Sequence, residues 1–206
     1  MASPGTRQGR ARGRGKRGGS TRERLLNAAV ELLEEGGYAA ATVAAIAERG
    51  QVAVGALYRH FPSKAELFVE VFRTMAERQL TDLYEASSVP GTAVDRLEAA
   101  VREYTGNVLE QPRLAWALGY EPVDPLVDAE RLAYRQTYRE RLADLLRLGI
   151  EAGDLPDQDA DLSAASLIGA ISETLVGPLS PVRDEEVSSE VTIEAIAGFC
   201  RRAVGA

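Results

Sequence analysis

The chain has 206 residues, 45% hydrophobic and 27% charged, enough for one large or two small domains with a buried core. Its formal net charge of −7 hides an asymmetry, because residues 1–20 carry +6, residues 21–80 carry −1 and residues 81–206 carry −12. A single cysteine, Cys200, and a single histidine, His60, exclude an intrachain disulfide framework and a Cys/His zinc cage.

The lone thiol suits a reducing cytoplasm. No apolar run is expected to approach the about 20 residues of a membrane span, and the basic N-terminus has no apolar core after it, so neither a signal peptide nor a membrane partner is expected. Ala and Leu are plentiful and aromatics few, and no β-branched alternation bounded by turns occurs, so the fold class is all-α, with about nine helices.

Residues 1–19 read as a basic flexible arm, with Arg14, Lys16 and Arg17 among its cations. Order begins at Ser20, three residues before Glu23 in capping-box spacing. Leu25, Leu26, Ala29, Leu32 and Leu33 then recur at helical spacing, and Gly36-Gly37 stops this helix, giving 21–35. Tyr38 and Val43 read as core plugs at the next corner. A second helix follows over 42–49 with Thr42 as N-cap, Gly50-Gln51 turns the chain, and a third helix spans 54–60 before Pro62. Ser63 and Glu66 repeat the box spacing and open a fourth helix over about 63–87.

"SSVPGT" places a domain division near 88, leaving a head over 20–68, a connecting fourth helix and a helical body over 88–206. In the body, helices are expected over 92–109, 126–152, 161–176 and 186–203, with an apolar segment fenced by Pro112, Pro122 and Pro125 between the first two.

Two helices of about two turns each are too short to stand alone, but they suit a helix-turn-helix supported by a third helix. "LLNAAVELLEEGGYAAATVAAIAERGQVAVGALYRHFPSKAELF" resembles the DNA-binding domain of the TetR (tetracycline-repressor-like) family of transcriptional regulators. The resemblance is strong over about 24–72, and the rest is similar in helix order and length. It implies a double-stranded DNA operator, a homodimer, a small-molecule effector and no cofactor. It implies phosphate contacts from Thr42, Tyr58, His60 and Lys64, and groove contacts from Ala53, Val54, Gly55 and Ala56. The family's turn usually reads Ala-Gly-Val-Ser where this chain has Gly50-Gln51-Val52-Ala53, so the glycine is shifted and the polar cap is gone.

Small apolar groups at Val54 and Ala56 can touch a thymine methyl but cannot make a bidentate hydrogen bond to a purine. Gln51, Tyr58, Arg59 and the arginine-rich arm are therefore expected to share the reading of sequence, the arm through a neighbouring minor groove. Plain alternatives stand beside these roles: Tyr58 as a core plug, His60 as a packing residue, Arg59 as a solvated charge, Lys64 as a surface cation.

In the body, the apolar helix 161–176 reads either as internal core or, with the last helix, as the two-fold interface the resemblance implies, through Leu167, Ile168, Ile171, Leu175, Ile196 and Phe199. Tyr104, Trp116, Tyr120, Tyr134 and Tyr138 read either as ordinary core or as the lining of a pocket for an apolar or aromatic effector. No Gly-x-Ser-x-Gly elbow, phosphate loop, metal set or second histidine occurs, so the chain is not read as an enzyme, and only carboxylate chemistry remains as an alternative of that class. A DNA-compacting protein binding through its arm without sequence choice is the other alternative. The expected function is thus a dimeric, sequence-specific repressor that leaves a palindromic operator when its ligand binds.

Overall fold

The computed structural model describes residues 19–182 and 188–206, so the arm, with Arg14, Lys16 and Arg17, lies outside the described residues. The described residues form nine helices and no strand: α1 (Thr21–Ala40), α2 (Val43–Arg49), α3 (Val54–His60), α4 (Lys64–Ala86), α5 (Ala93–Glu110), α6 (Pro112–Gly119), α7 (Pro125–Ala152), α8 (Ala160–Leu179) and α9 (Ser189–Ala203).

The caps set most of these boundaries. Glu23 N–H donates to Ser20 Oγ at 3.2 Å and Ser20 N–H to a Glu23 carboxylate oxygen at 2.7 Å, which completes the expected box. Glu66 N–H donates to Ser63 Oγ at 3.1 Å at the start of α4, and Thr92 and Asp95 form a further box on α5. Pro112 and Pro125 stand in the first turns of α6 and α7, where a missing N–H costs nothing.

Two helices outrun their expected ends. α1 breaks where Gly36-Gly37 predicts, since Gly37 adopts φ 69° and ψ −166°, but the chain then winds on to Ala40. α8 continues through Gly177-Pro178 to Leu179, because a proline in the last turn removes only one ladder bond from a helix already ending. α8 also departs from the expectation of no long apolar run, being by length and composition apolar enough to cross a membrane. In this fold it lies against α7, with lesser contacts to α5, α6 and α9.

Two hydrophobic cores form. The first gathers Leu25, Leu33, Ile46, Leu57, Phe61 and Leu67 of the head, and it also takes Leu114, Ala117 and Val127 from α6 and α7. The body therefore reaches into the core of the head, through α6 and the first turn of α7. The second core joins Leu97 and Val101 of α5, Leu146 of α7, Leu167, Ile171 and Leu175 of α8, and Ile196 and Cys200 of α9.

That second core corrects part of the expected interface. Leu167, Ile171, Leu175 and Ile196 are buried inside the chain and have no face to offer a second copy. A helix that is apolar nearly all round gives no sign in its sequence of which stripe turns inward. Ile168 is half-buried and Phe199 is 46% exposed. The outer face of α8 and α9 carries Leu162, Gly169, Val191 and Phe199, all exposed.

Candidate nucleic-acid interface

α2 is locked to α1 before it can present anything. The Arg49 guanidinium donates to both Glu35 carboxylate oxygens at 2.8 Å and to Glu31 at 3.1 Å, so this cation is spent inside the head. Arg22 is likewise paired, with Glu70, and its guanidinium lies 5.2 Å from the Phe61 ring centre.

The turn between α2 and α3 exchanges the roles of its two residues relative to the usual pattern. Gly50 has an ordinary φ of −73°, and it is buried against α1, where a β-carbon would stand 3.2 Å from Leu25 and 3.1 Å from the Ile46 carbonyl oxygen. Gln51 takes the left-handed position at φ 56°, the only non-glycine among the described residues with positive φ. Its side chain is exposed beside the start of α3.

α3 buries one residue fully, Leu57, which anchors it in the first core. Ala53, Val54, Gly55, Tyr58, Arg59 and His60 are exposed and Ala56 is half-buried, so the residues of α3 and its cap singled out for DNA contact are open to solvent apart from Ala56. Tyr58 is 50% exposed, which sets aside its reading as a core plug. Ala53 caps α3 with no side-chain bond, leaving the first turn open. At the other end of the motif, Thr42 Oγ1 accepts from Ala45 N–H at 3.2 Å and its hydroxyl hydrogen stays available to a phosphate.

Lys64 is corrected. Its ammonium turns inward over the Tyr38 ring, 4.1 Å from the centre and 5.4 Å from that of Phe68, and donates to the Tyr38 carbonyl at 3.4 Å. Burial lowers its pKa from the ordinary lysine value. Tyr38, read from sequence as a plug, is thus a junction that also packs its ring 4.5 Å from that of Phe68.

The aromatics of the body divide. Tyr104 and Tyr138 meet edge to face at 6.4 Å, and Trp116 stacks on Tyr120 at 5.1 Å with 19° between planes. The Tyr120 hydroxyl donates to Ser172 O at 2.8 Å and the Tyr138 hydroxyl to Gln79 at 2.9 Å. Burial, reinforced by the neighbouring Tyr104, pushes Tyr120 up to about 12, and burial also raises Tyr138 and Tyr104. Tyr134 stands apart, edge-on to Phe72 at 5.6 Å, and is corrected out of the cluster. The open cavity of about 570 Å³ lies elsewhere, between the end of α4, α5 and α9, along Val89, Ala99, Gly106 and Ile193. Four of the five aromatics thus form two packed pairs, Tyr104 with Tyr138 and Trp116 with Tyr120.

Sequence reasoning missed Glu121, whose carboxylate accepts from Tyr38 N–H at 2.7 Å across 83 residues of chain. No local pattern marks such a residue, since its partner is a backbone amide on another element.

Known proteins agree with this geometry. Residues 25–71 match the family model described as bacterial regulatory proteins, tetR family, and residues 90–175 match that of the tetracyclin repressor-like C-terminal domain. The HTH-type transcriptional repressor KstR of Mycolicibacterium smegmatis is 37% identical over 97 residues, 47% of this chain and 48% of that protein. The chain thus matches about half the length of this relative. The fatty acid metabolism regulator protein of Bacillus subtilis is 24% identical over 73% of this chain and 79% of its own length. Among solved structures, FadR from Bacillus subtilis in complex with stearoyl-CoA superposes with a TM-score of 0.77 at 20% identity, covering 88% of this chain and 98% of that one. FadR from Bacillus halodurans gives 0.78 at 20% identity over 90% and 97%. With a head and a body that each match, and an exposed α3 in the head, the chain belongs to the tetR family of bacterial regulatory proteins, which are DNA-binding transcriptional regulators.

Proposed function

We propose that the protein is a dimeric, sequence-specific DNA-binding repressor acting in the cytoplasm, released from a palindromic operator by an apolar ligand. The observation that carries this reading is α3, a seven-residue helix whose one fully buried residue is Leu57 and whose other residues apart from Ala56 are exposed. Such a helix stabilises its own fold little and suits insertion into a major groove about 12 Å wide. Val54 and Ala56 supply apolar contacts to thymine methyls, Gln51 reaches a base edge from the turn, and Thr42, Tyr58, Arg59 and His60 hold phosphates. The +6 arm adds attraction that an otherwise acidic chain lacks.

One α3 offers few contacts, and a two-fold pair doubles them across a palindrome. The exposed Leu162, Gly169, Val191 and Phe199 support pairing through α8 and α9. Tyr104, Trp116, Tyr120 and Tyr138 support a ligand site that opens from their packed pairs. Since FadR from Bacillus subtilis is solved with stearoyl-CoA, a long-chain acyl-CoA is the first ligand to try.

Selection of bound duplexes from a random pool tests the reading. The expected product is an inverted repeat with a fixed half-site spacing. A pool that stays random at moderate salt would instead support an architectural protein that grips DNA through its arm.

A further inference from the structure

We infer that Glu121 is a positioning residue that ties the reading head to the body, so that movement of α6 is passed to α1 and the start of α4 through one carboxylate. The inference rests on the DNA-binding reading for its purpose, though not for its geometry. Glu121 follows the end of α6, and its half-buried carboxylate accepts from Tyr38 N–H at 2.7 Å. The neighbouring Gly37 completes the fit, because a β-carbon there would collide with the Glu121 carboxylate. An acid and a glycine far apart in the chain are thus matched in shape at the corner that leads into α2.

The mount behind Glu121 is rigid. The Arg131 guanidinium donates to Leu118 O at 2.6 Å, to Ala117 O at 2.9 Å and to Glu121 O at 2.9 Å, closing the carbonyls at the end of α6 with a cation. On one side of the same short helix, Trp116 stacks on Tyr120, whose hydroxyl is held by Ser172 of α8. On the other, Leu114 and Ala117 sit in the core of the head. Tyr38 in turn contacts Lys64 and Phe68 at the start of α4. Burial of Leu114 and Ala117 joins α6 to the head without a preferred direction, whereas a charge-assisted hydrogen bond to a single amide is directional. The carboxylate therefore fixes the orientation of the corner at Tyr38 relative to α6, within the contact that the apolar residues hold together.

The test uses the full chain with Glu121→Ala, Glu121→Asp and Glu121→Gln. Aspartate keeps the charge but falls short of Tyr38 by one methylene, and glutamine keeps an acceptor oxygen at full reach. In the free protein, hydrogen exchange of residues 36–45 and 54–60 is expected to quicken at least tenfold in the Ala and Asp variants, with α8 unchanged, and to return toward wild type with Gln. In a titration with the selected duplex, the emission of Trp116, the one tryptophan, is expected to change in wild type and Gln and to lose that change in Ala and Asp. Ala and Asp variants that still bind, three- to tenfold more weakly, give the supporting result. Exchange confined to residues 36–45, or an emission response equal in all four proteins, overturns the inference. Anisotropy of the labelled duplex, read in the same titration, tells a failure of DNA binding from a failure of coupling. In the former case the exchange arm alone decides.

Discussion

The Lys64 ammonium sits 4.1 Å from the centre of the Tyr38 ring, at the start of the helix that joins head to body. A cation at a helix N-terminus faces an unfavourable dipole, and the electron-rich ring and the Tyr38 carbonyl offset it. Lys64→Met is expected to cost about 1 kcal/mol in urea unfolding, in line with a partly desolvated cation–π contact. It should leave the salt dependence of duplex binding unchanged. Arg59→Ala, by contrast, should flatten the slope of log K against log salt by about 0.9, one phosphate contact.

Gln51 is a side-chain-bearing residue in a backbone region that glycine occupies at less cost. Gln51→Gly is expected to raise stability by about 1 kcal/mol. The adjacent Gly50→Ala should lower stability, since the new carbon meets Leu25 and the Ile46 carbonyl. Thermal unfolding of the two variants checks the opposed signs, and selection with Gln51→Gly should relax the base preference flanking each half-site.

Thr105 is fully buried and its hydroxyl has no hydrogen-bond partner in the structure. Valine has the same shape without the polar atom. Thr105→Val is therefore expected to stabilise the body by about 1 kcal/mol in denaturant unfolding, because an unpaired buried hydroxyl carries its full desolvation cost.

Tyr120 holds its proton up to about 12 in the folded chain, against an ordinary value of about 10 when unfolded. Its raised folded value means that its contribution to stability is complete below pH about 10 and is lost as pH rises from there through 12. Stability measured by denaturant is expected to fall steeply over that window. Tyr120→Phe should make the fall shallower, with the wild-type steepness persisting in the variant as the result that counts against this.

A β-carbon at Gly169 meets nothing within 4 Å in the chain, and the position is exposed. Gly169→Arg should therefore leave folding intact and, by placing a charged side chain on the outer stripe of α8, abolish pairing. Sedimentation at micromolar concentration is expected to show a dimer for wild type and a monomer for this variant and for Phe199→Glu.

Much of the head was legible along the chain because its signals are local. Ser20 with Glu23, Thr42 and Ser63 place three helix starts within a residue or two, since a cap joins near neighbours, whereas Gly36-Gly37 marks the break at Gly37 but not the end of α1 at Ala40. The exposure of Tyr58 was not legible in this way, since its reading as a core plug is set aside only by the fold, which leaves Leu57 as the one fully buried residue of α3. The shifted glycine at Gly50-Gln51 was visible, but its consequence was not. Only the fold reveals that Gly50 is small for the sake of α1 and that Gln51 bears the backbone strain.

The order of elements apart from α6, the all-α class and the motif were determined by the sequence alone, because helical period, caps and breakers act over a few residues, while the segment among the prolines showed its helix only in the fold. Which stripe of α8 is core, which aromatics meet, where Lys64 points and what Glu121 holds were decided by the tertiary structure. These depend on elements tens of residues apart coming into contact, and an apolar helix or a lone carboxylate is compatible with many partners until packing selects one.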